Sequence, residues 1–227
     1  MPNREEHDAI SVASHHPTSL VAEQFYPEYQ AKIKEVSQQD MLFVLNALQE
    51  NESRWFYRPI MGMFSNRNAT FISTCNSIRN TFNSRYVTSG IQGYRHFICS
   101  SSVTDKVVGI IIFNPDSPNI SDNEVDQISF IVTYPNGYGY GGLLIQHVVN
   151  ISLGLGHKGI LDVRAEPDAE IFYQKLGFEY MNNCNFLGLK QMKLNPGASD
   201  KWRKINGKYQ IKRTPRPHNT NWQCHLL

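Results

Sequence analysis

One stretch limits what this chain can fold into more than any other. Gln127–Tyr134 is rich in Ile, Phe, Val and Thr, which is the composition of a strand. It runs directly into Pro135-Asn136-Gly137-Tyr138-Gly139-Tyr140-Gly141-Gly142, and the apolar helical run Leu143–Leu155 follows, ending among Gly154 and Gly156. A glycine-rich turn between a strand and a helix is an anion cradle. Glycines let the backbone approach a ligand closely, and the helix N-terminus presents unpaired N–H groups with a partial positive charge. Phosphate or pyrophosphate is the natural guest. The turn is not a dinucleotide fingerprint, because G-x-G-x-x-G fails in this frame and no acidic residue stands at a strand end about 20 residues later. No Lys-Ser or Lys-Thr follows the last glycine, which excludes a P-loop.

The flanking sequence supplies the other layers. Lys32-Ile33-Lys34-Glu35-Val36 alternates polar and apolar, as a short strand does, and Ser37 with Asp40 opens a helical run carrying Met41, Val44, Leu45 and Leu48. Asn51–Gly90 is rich in Asn, Ser and Arg with scattered aromatics. It predicts one or two short helices, chiefly Asn76–Tyr86, serving as core packing or as a substrate lid. Tyr94–Cys99 and Lys106–Asn114 read as a hairpin around Ser100–Asp105, and the proline-containing Asn114–Asn123 reads as a loop. Gly159–Ala165 is a predicted strand, and Pro167–Leu176 a predicted helix with Pro167 in its first turn and Gly177 as its stop. Phe178–Leu194 supplies one or two final strands. This order predicts an α/β (α+β) layer architecture around a mixed sheet.

The chain has 227 residues, which suits one αβ domain with extensions, and a formal net charge of +2. Its greasiest run, Val107–Phe113, is far short of the roughly 20 residues of a membrane span. Met1–Ser19 is polar and lacks an apolar h-region, so a secretory leader is not expected. Residues 1–30 read as a flexible polar arm, 31–194 as the domain and 195–227 as a basic C-terminal extension. That extension holds Lys201, Arg203, Lys204, Lys208, Lys212, Arg213 and Arg216 with few acids. It is either a solvated segment packing a turn through Trp202 and Trp222, or a surface for nucleic acid or another anionic partner. Cys75, Cys99, Cys184 and Cys224 form no C-x-x-C pair and have no His at ligand spacing, so free thiols, a reducing cytoplasm and no metal are expected.

A second motif narrows the field. Ala165-Glu166-Pro167-Asp168-Ala169-Glu170-Ile171-Phe172-Tyr173-Gln174-Lys175-Leu176-Gly177-Phe178 follows the next predicted strand. Together with the glycine turn it resembles the GNAT superfamily of acyl-CoA N-acyltransferases. That family's phosphate loop has Arg or Gln at its first position and Gly, then Gly or Ala, at its fourth and sixth. Asn136-Gly137-Tyr138-Gly139-Tyr140-Gly141 matches both glycine positions and departs from the first. The family's fourth-helix pattern is matched by Ala169, Phe172, Tyr173, Gly177 and Phe178, with Glu166 where the family often has Asn. Ile33–Leu48 is similar to the family's opening strand and helix, so the resemblance covers residues 31–194.

The resemblance implies a GNAT-type mixed, mostly antiparallel central sheet, with helices on both faces and a splay between its fourth and fifth strands. It implies acetyl-CoA as acyl donor and no metal. The backbone of Ile131, Val132 and Thr133 would pair with pantetheine amides, and the N–H of Ile131 or Val132 would polarise the thioester carbonyl. Asn136, Gly137, Tyr138, Gly139, Tyr140, Gly141 and Gly142 would hold the pyrophosphate, and Asp168 joins the donor contacts. Tyr173 matches the family's general acid. Asp126 or Glu124 would take the proton from the amine, with Asp162 and Glu166 as further options.

The implied activity is acetyl transfer to a primary amine, by direct attack in a ternary complex. The amine belongs to a protein lysine or N-terminus, a polyamine, an amino acid or an aminoglycoside. Cys184 has no His or Asp near it in sequence to support a covalent route. The alternative is a catalytically degenerate GNAT-fold module that docks nucleic acid or an acidic partner through the basic tail. An exported bacterial effector acting on a host protein is a variant of the first reading, and a monomer or homodimer is expected.

Overall fold

The computed structural model describes residues 23–50, 65–83, 93–118, 124–133, 139–186 and 188–212. Gln24–Tyr26 (β1) and a 3-10 turn at Pro27–Tyr29 lead into Ala31–Val36 (β2), so this part of the expected arm belongs to the sheet. Ser37 then opens the helix Gln38–Glu50 (α1). Its hydroxyl accepts from the Asp40 N–H at 3.1 Å and donates to the Asp40 carboxylate at 2.8 Å, satisfying a helix-start donor. The next helix, Ser65–Asn83 (α2), starts eleven residues before the expected Asn76. Arg79 ties it to α1 by donating to the Asn46 side chain and the Leu45 carbonyl.

Arg95–Ser101 (β3) and Val107–Pro118 (β4) form the expected hairpin, but β4 runs on through the first half of the predicted loop. Pro115 is tolerated there because the register slips between Asn114 and Ser117, at a bulge where no regular ladder N–H is required. Glu124–Thr133 (β5) pairs antiparallel with β4. The helix Tyr140–Gly154 (α3) then crosses to Leu161–Ala165 (β6), which lies parallel to β5. A 3-10 turn at Pro167–Ala169 precedes the short helix Glu170–Lys175 (α4), which ends before Gly177 at φ +86°. Glu179–Phe186 (β7) and Leu189–Leu194 (β8) complete the main sheet. Its order is β1-β2-β3-β4-β5-β6-β8-β7, and β5–β6 is its parallel pair.

Strand alternation divides the apolar side chains between two cores. Ile111, Phe113, Ile128, Leu161 and Val163 face α3 and α4, while Ile110 and Ile112 face Met41 and Leu45 of α1 and Ile78 and Phe82 of α2. Helices therefore cover both faces of a mixed, mostly antiparallel sheet.

The C-terminal extension holds regular structure that the sequence reading did not anticipate. Trp202–Ile205 (β9) and Lys208–Ile211 (β10) form a second, two-stranded sheet packed on α3. Asn206 and Gly207 both have positive φ, 49° and 78°, as the primed hairpin turns require. Trp202 is buried and its indole N–H donates to the Leu176 carbonyl at 2.7 Å. Trp222 lies outside the described residues.

Candidate functional site

The site begins with a one-residue irregularity. On β4 the chain steps from Ile112 to Phe113, while on β5 the partners step from Phe130 to Ile128. Ser129 is the extra residue of a bulge, which bends the strand and increases its twist. The parallel ladder with β6 runs from Asp126–Leu161 to Ile128–Val163. Beyond that, β5 continues to Thr133 and β6 to Ala165, and among the described residues no strand pairs with the far edge of Ser129–Thr133. Alternate N–H and C=O groups of that edge face an opening between the two strands.

The opening leads to the start of α3. Gly139 is its N-cap, left-handed at φ 85°, and the first backbone N–H groups of the helix have no intrahelical acceptors. The glycines do more here than expose backbone. A Cβ on Gly141 would stand 3.0 Å from the Phe172 ring and one on Gly139 would stand 3.0 Å from Tyr29, so both allow close packing. Gly141 also lies near Thr133 Oγ1, which brings the end of β5, the first turn of α3 and α4 into contact.

Tyr173, next to Phe172, is only 4% exposed and packs edge-on against Phe172 and Phe178. Burial, reinforced by the negative charge of Glu166, raises the pKa of its phenol, so the hydroxyl keeps its proton. Ile131 packs toward the α3 core and Val132 toward the α1–α2 core, while Tyr140 lines the α3 side. Asp168 is exposed in the 3-10 turn before α4. Asn136, Gly137 and Tyr138 lie outside the described residues.

The carboxylates sit elsewhere. Asp126 is 2% exposed at the closed end of the β5–β6 pair, and His157 Nδ1 lies 2.9 Å from its Oδ1. It precedes Ile131 by five residues, about 17 Å along an extended strand. Glu124 is the first residue of β5, opposite Pro118. Asp162 is buried on the opposite face from Asp126; burial raises its pKa, against a hydrogen bond from Gln191 and the charge of Lys193. Glu166 is exposed just before the 3-10 turn. The structure thus gathers Thr133, Gly139, Gly141 and Phe172 at one end of the opening, with Tyr173 buried behind Phe172, and leaves Asp126 at the other.

The parallel pair, its divergence at the bulge and the glycine-started helix decide the architecture. It is a mixed, mostly antiparallel sheet with helices on both faces, the arrangement that the sequence resemblance to GNAT acyltransferases implies. No protein-family model matches the chain, and no curated protein sequence is similar to it. Similar solved structures include the PaiA N-acetyltransferase of Thermoplasma acidophilum in complex with coenzyme A, at 14% identity, with 73% of this chain and 98% of that chain covered and a TM-score of 0.48. A mutant of the spermidine N-acetyltransferase SpeG of Vibrio cholerae aligns at 17% identity, covering 73% of this chain and 93% of that one, with a TM-score of 0.44. AtaTR bound with AcCoA aligns at 17% identity over 73% of this chain and 92% of that one, with a TM-score of 0.45.

Within this fold, the sequence did not point to Ser129, Tyr29, His157 or the β9–β10 hairpin. The hairpin alone had a local signal, the Asn206-Gly207 pair between two alternating runs. The others depend on register and on contacts between residues distant in sequence.

Proposed function

We propose that the chain is an acyl-CoA-dependent N-acyltransferase that moves an acetyl group from acetyl-CoA to a primary amine. The observation that carries this reading is the edge of Ser129–Thr133, which pairs with no further strand among the described residues and leads to the glycine-capped first turn of α3. Exposed strand edges seek amide partners, and the pantetheine arm carries two amides on a flexible chain. The pyrophosphate beyond it meets the helix N-terminus at Gly139–Gly142.

In this reading the amine nitrogen attacks the thioester carbonyl directly. The N–H of Ile131 or Val132 stabilises the oxyanion, an interaction worth about 2.7–4 kcal/mol where one such donor has been removed from an enzyme. The C–S bond then breaks and Tyr173 donates its proton to the departing thiolate. Burial that raises the phenol pKa makes this transfer uphill to a solvated thiolate, so the thiolate must form in the same dry surroundings. Glu124 and Asp126 are the proposed proton acceptors for the amine. Asp126 acts through intervening water, since a direct acceptor must lie within hydrogen-bond reach. Paired Glu124→Gln and Asp126→Asn variants will lower kcat/KM at neutral pH if either group serves, and leave it unchanged if the amine loses its proton to solvent.

The deciding experiment is calorimetric titration of acetyl-CoA into the wild type and into Gly139→Asp, with circular dichroism confirming that both are folded. The substitution strains a left-handed position and places a carboxylate where the pyrophosphate would lie. Micromolar binding lost in the variant supports the donor site. A folded wild type that binds neither acetyl-CoA nor longer acyl-CoAs refutes it.

A further inference from the structure

The C-terminal hairpin lies outside the motifs that carry the GNAT resemblance, yet it is fastened to the helix that starts at the glycine turn. Asn150 of α3 clasps Tyr209, accepting from its N–H at 2.8 Å and donating to its carbonyl at 2.9 Å. Gln146 accepts from the Ile211 N–H at 2.9 Å, and the Lys212 N–H closes on the Lys201 carbonyl at 2.7 Å. The Ile211 side chain reaches the first turn of α3, 3.4 Å from where a Cβ on Gly142 would stand. The hairpin is therefore a rigid wall beside the start of α3.

Between this wall and the Pro27–Tyr29 turn lies a cavity of about 500 Å³, lined by Glu28, Tyr29, Gln146, Arg203, Ile211 and Lys212, with Gln210 at its side. Tyr29 also packs against Gly139, so the cavity adjoins the N-cap. It reaches Gln146, seven residues along the helix and about 10 Å from Gly139. Of the hairpin's cations, Lys204 is held over the Tyr209 ring at 5.4 Å. Arg203 and Lys212 line the cavity, both exposed, and neither forms an ion pair among the described residues. These two cations face one carboxylate, Glu28, which leaves a net positive charge in a cavity that adjoins the first turn of α3.

We infer that this cavity receives the nucleotide end of the donor, with Arg203 and Lys212 binding the 3′-phosphate of its ribose. The inference rests on the acyl-CoA reading above. It gives the basic hairpin a role in donor recognition: a guanidinium and an ammonium on a preorganised element engage a dianion that dephospho-CoA lacks.

The test compares binding of CoA and dephospho-CoA by the full chain, as wild type and as the Arg203→Ala/Lys212→Ala double variant. The wild type is expected to prefer CoA about tenfold, the scale of charge-assisted contacts at an exposed site. The double variant should lose that preference while binding dephospho-CoA as the wild type does. Both substitutions remove exposed side chains, so a matching melting temperature will show that the fold is retained. Equal wild-type affinity for the two ligands overturns the inference while leaving the acyl-CoA site standing. So does a double variant that weakens both ligands alike, or one that loses single-stranded RNA binding but keeps its CoA preference. A wild type that binds neither ligand overturns the acyl-CoA reading, and this inference with it.

Discussion

His147 and His96 are buried beneath aromatic neighbours, and in each case burial is the main cause that lowers the imidazole pKa from 6.5 to about 4. At His147 the charges of Arg95 and Lys208 add to the effect, whereas at His96 Glu35 opposes it. His147 Nδ1 is 2.8 Å from the Tyr26 hydroxyl, while His96 meets the edge of Phe82. A base whose folded pKa lies below its unfolded value stabilises the fold above the unfolded pKa. Here that contribution is lost as pH falls from about 6.5 toward about 4, at roughly 3 kcal/mol per histidine. Asp162 works with the opposite sign, because its raised pKa favours the fold at low pH and costs stability once pH exceeds the folded value. The histidines should prevail, so thermal melts between about pH 7.5 and about pH 4.5 will show falling stability, and a His96→Gln/His147→Gln variant will show a shallower slope. A wild-type melting temperature that is flat across that range refutes the assignment. Two glycines of one helix provide a second test at this scale. Gly141→Ala puts a methyl 3.0 Å from Phe172, whereas Gly154→Ala meets nothing within 4 Å. The first should destabilise by about 1 kcal/mol through overpacking and the second stabilise by about 0.5–1 kcal/mol, as read by urea unfolding.

At the scale of elements, α3 explains both what the sequence could disclose and what it could not. Its run Leu143–Leu155 is legible as a helix, but it is apolar nearly all round, so it needs cover on more than the sheet side. The hairpin supplies that cover, and the polar residues Gln146 and Asn150 mark where hairpin backbone docks. Their purpose is invisible in a single sequence because their partners lie 59 and 65 residues away. Replacing Asn150 with Ala strands both the N–H and the carbonyl of Tyr209, a cost of about 1–3 kcal/mol. It should also loosen β9, so emission from the buried Trp202 should shift to the red before global unfolding. An unchanged denaturation midpoint would show that the hairpin is not held by this clasp. The other elements follow the same logic. Alternation placed β2, the hairpin pattern placed β3 and strand-forming composition placed β5, because all three are local properties. The extension of β4 past Pro115 escaped, since a bulge is set by register against β5. The early start of α2 escaped as well, because Ser65–Asn83 is polar and takes its stability from tertiary contacts such as Arg79 with α1.

For the molecule as a whole, the candidate site joins parts that were legible singly but not as an assembly. The glycine turn and the Tyr173 motif stand out in the sequence, and the Gly141–Phe172 approach brings their elements together. The opening that gives them a purpose depends on Ser129, whose bulge exists only through its pairing with β4. The candidate proton acceptor was the least legible part, because the environment of Asp126 is set by His157, 31 residues away. The assembly makes its sharpest demand on Tyr173. Tyr173→Phe removes one oxygen and keeps the ring that packs on Phe172 and Phe178, so stability should change by less than about 1.5 kcal/mol. Tyr173→Ala would open a core cavity at about 3–5 kcal/mol and confound the result. If the phenol protonates the leaving thiolate, the Phe variant should bind acetyl-CoA with unchanged affinity while kcat falls about 100-fold. Turnover should then rise when small external acids are added, since they replace the missing proton donor. A Phe variant with wild-type kcat would assign leaving-group protonation to solvent and reduce Tyr173 to a packing residue.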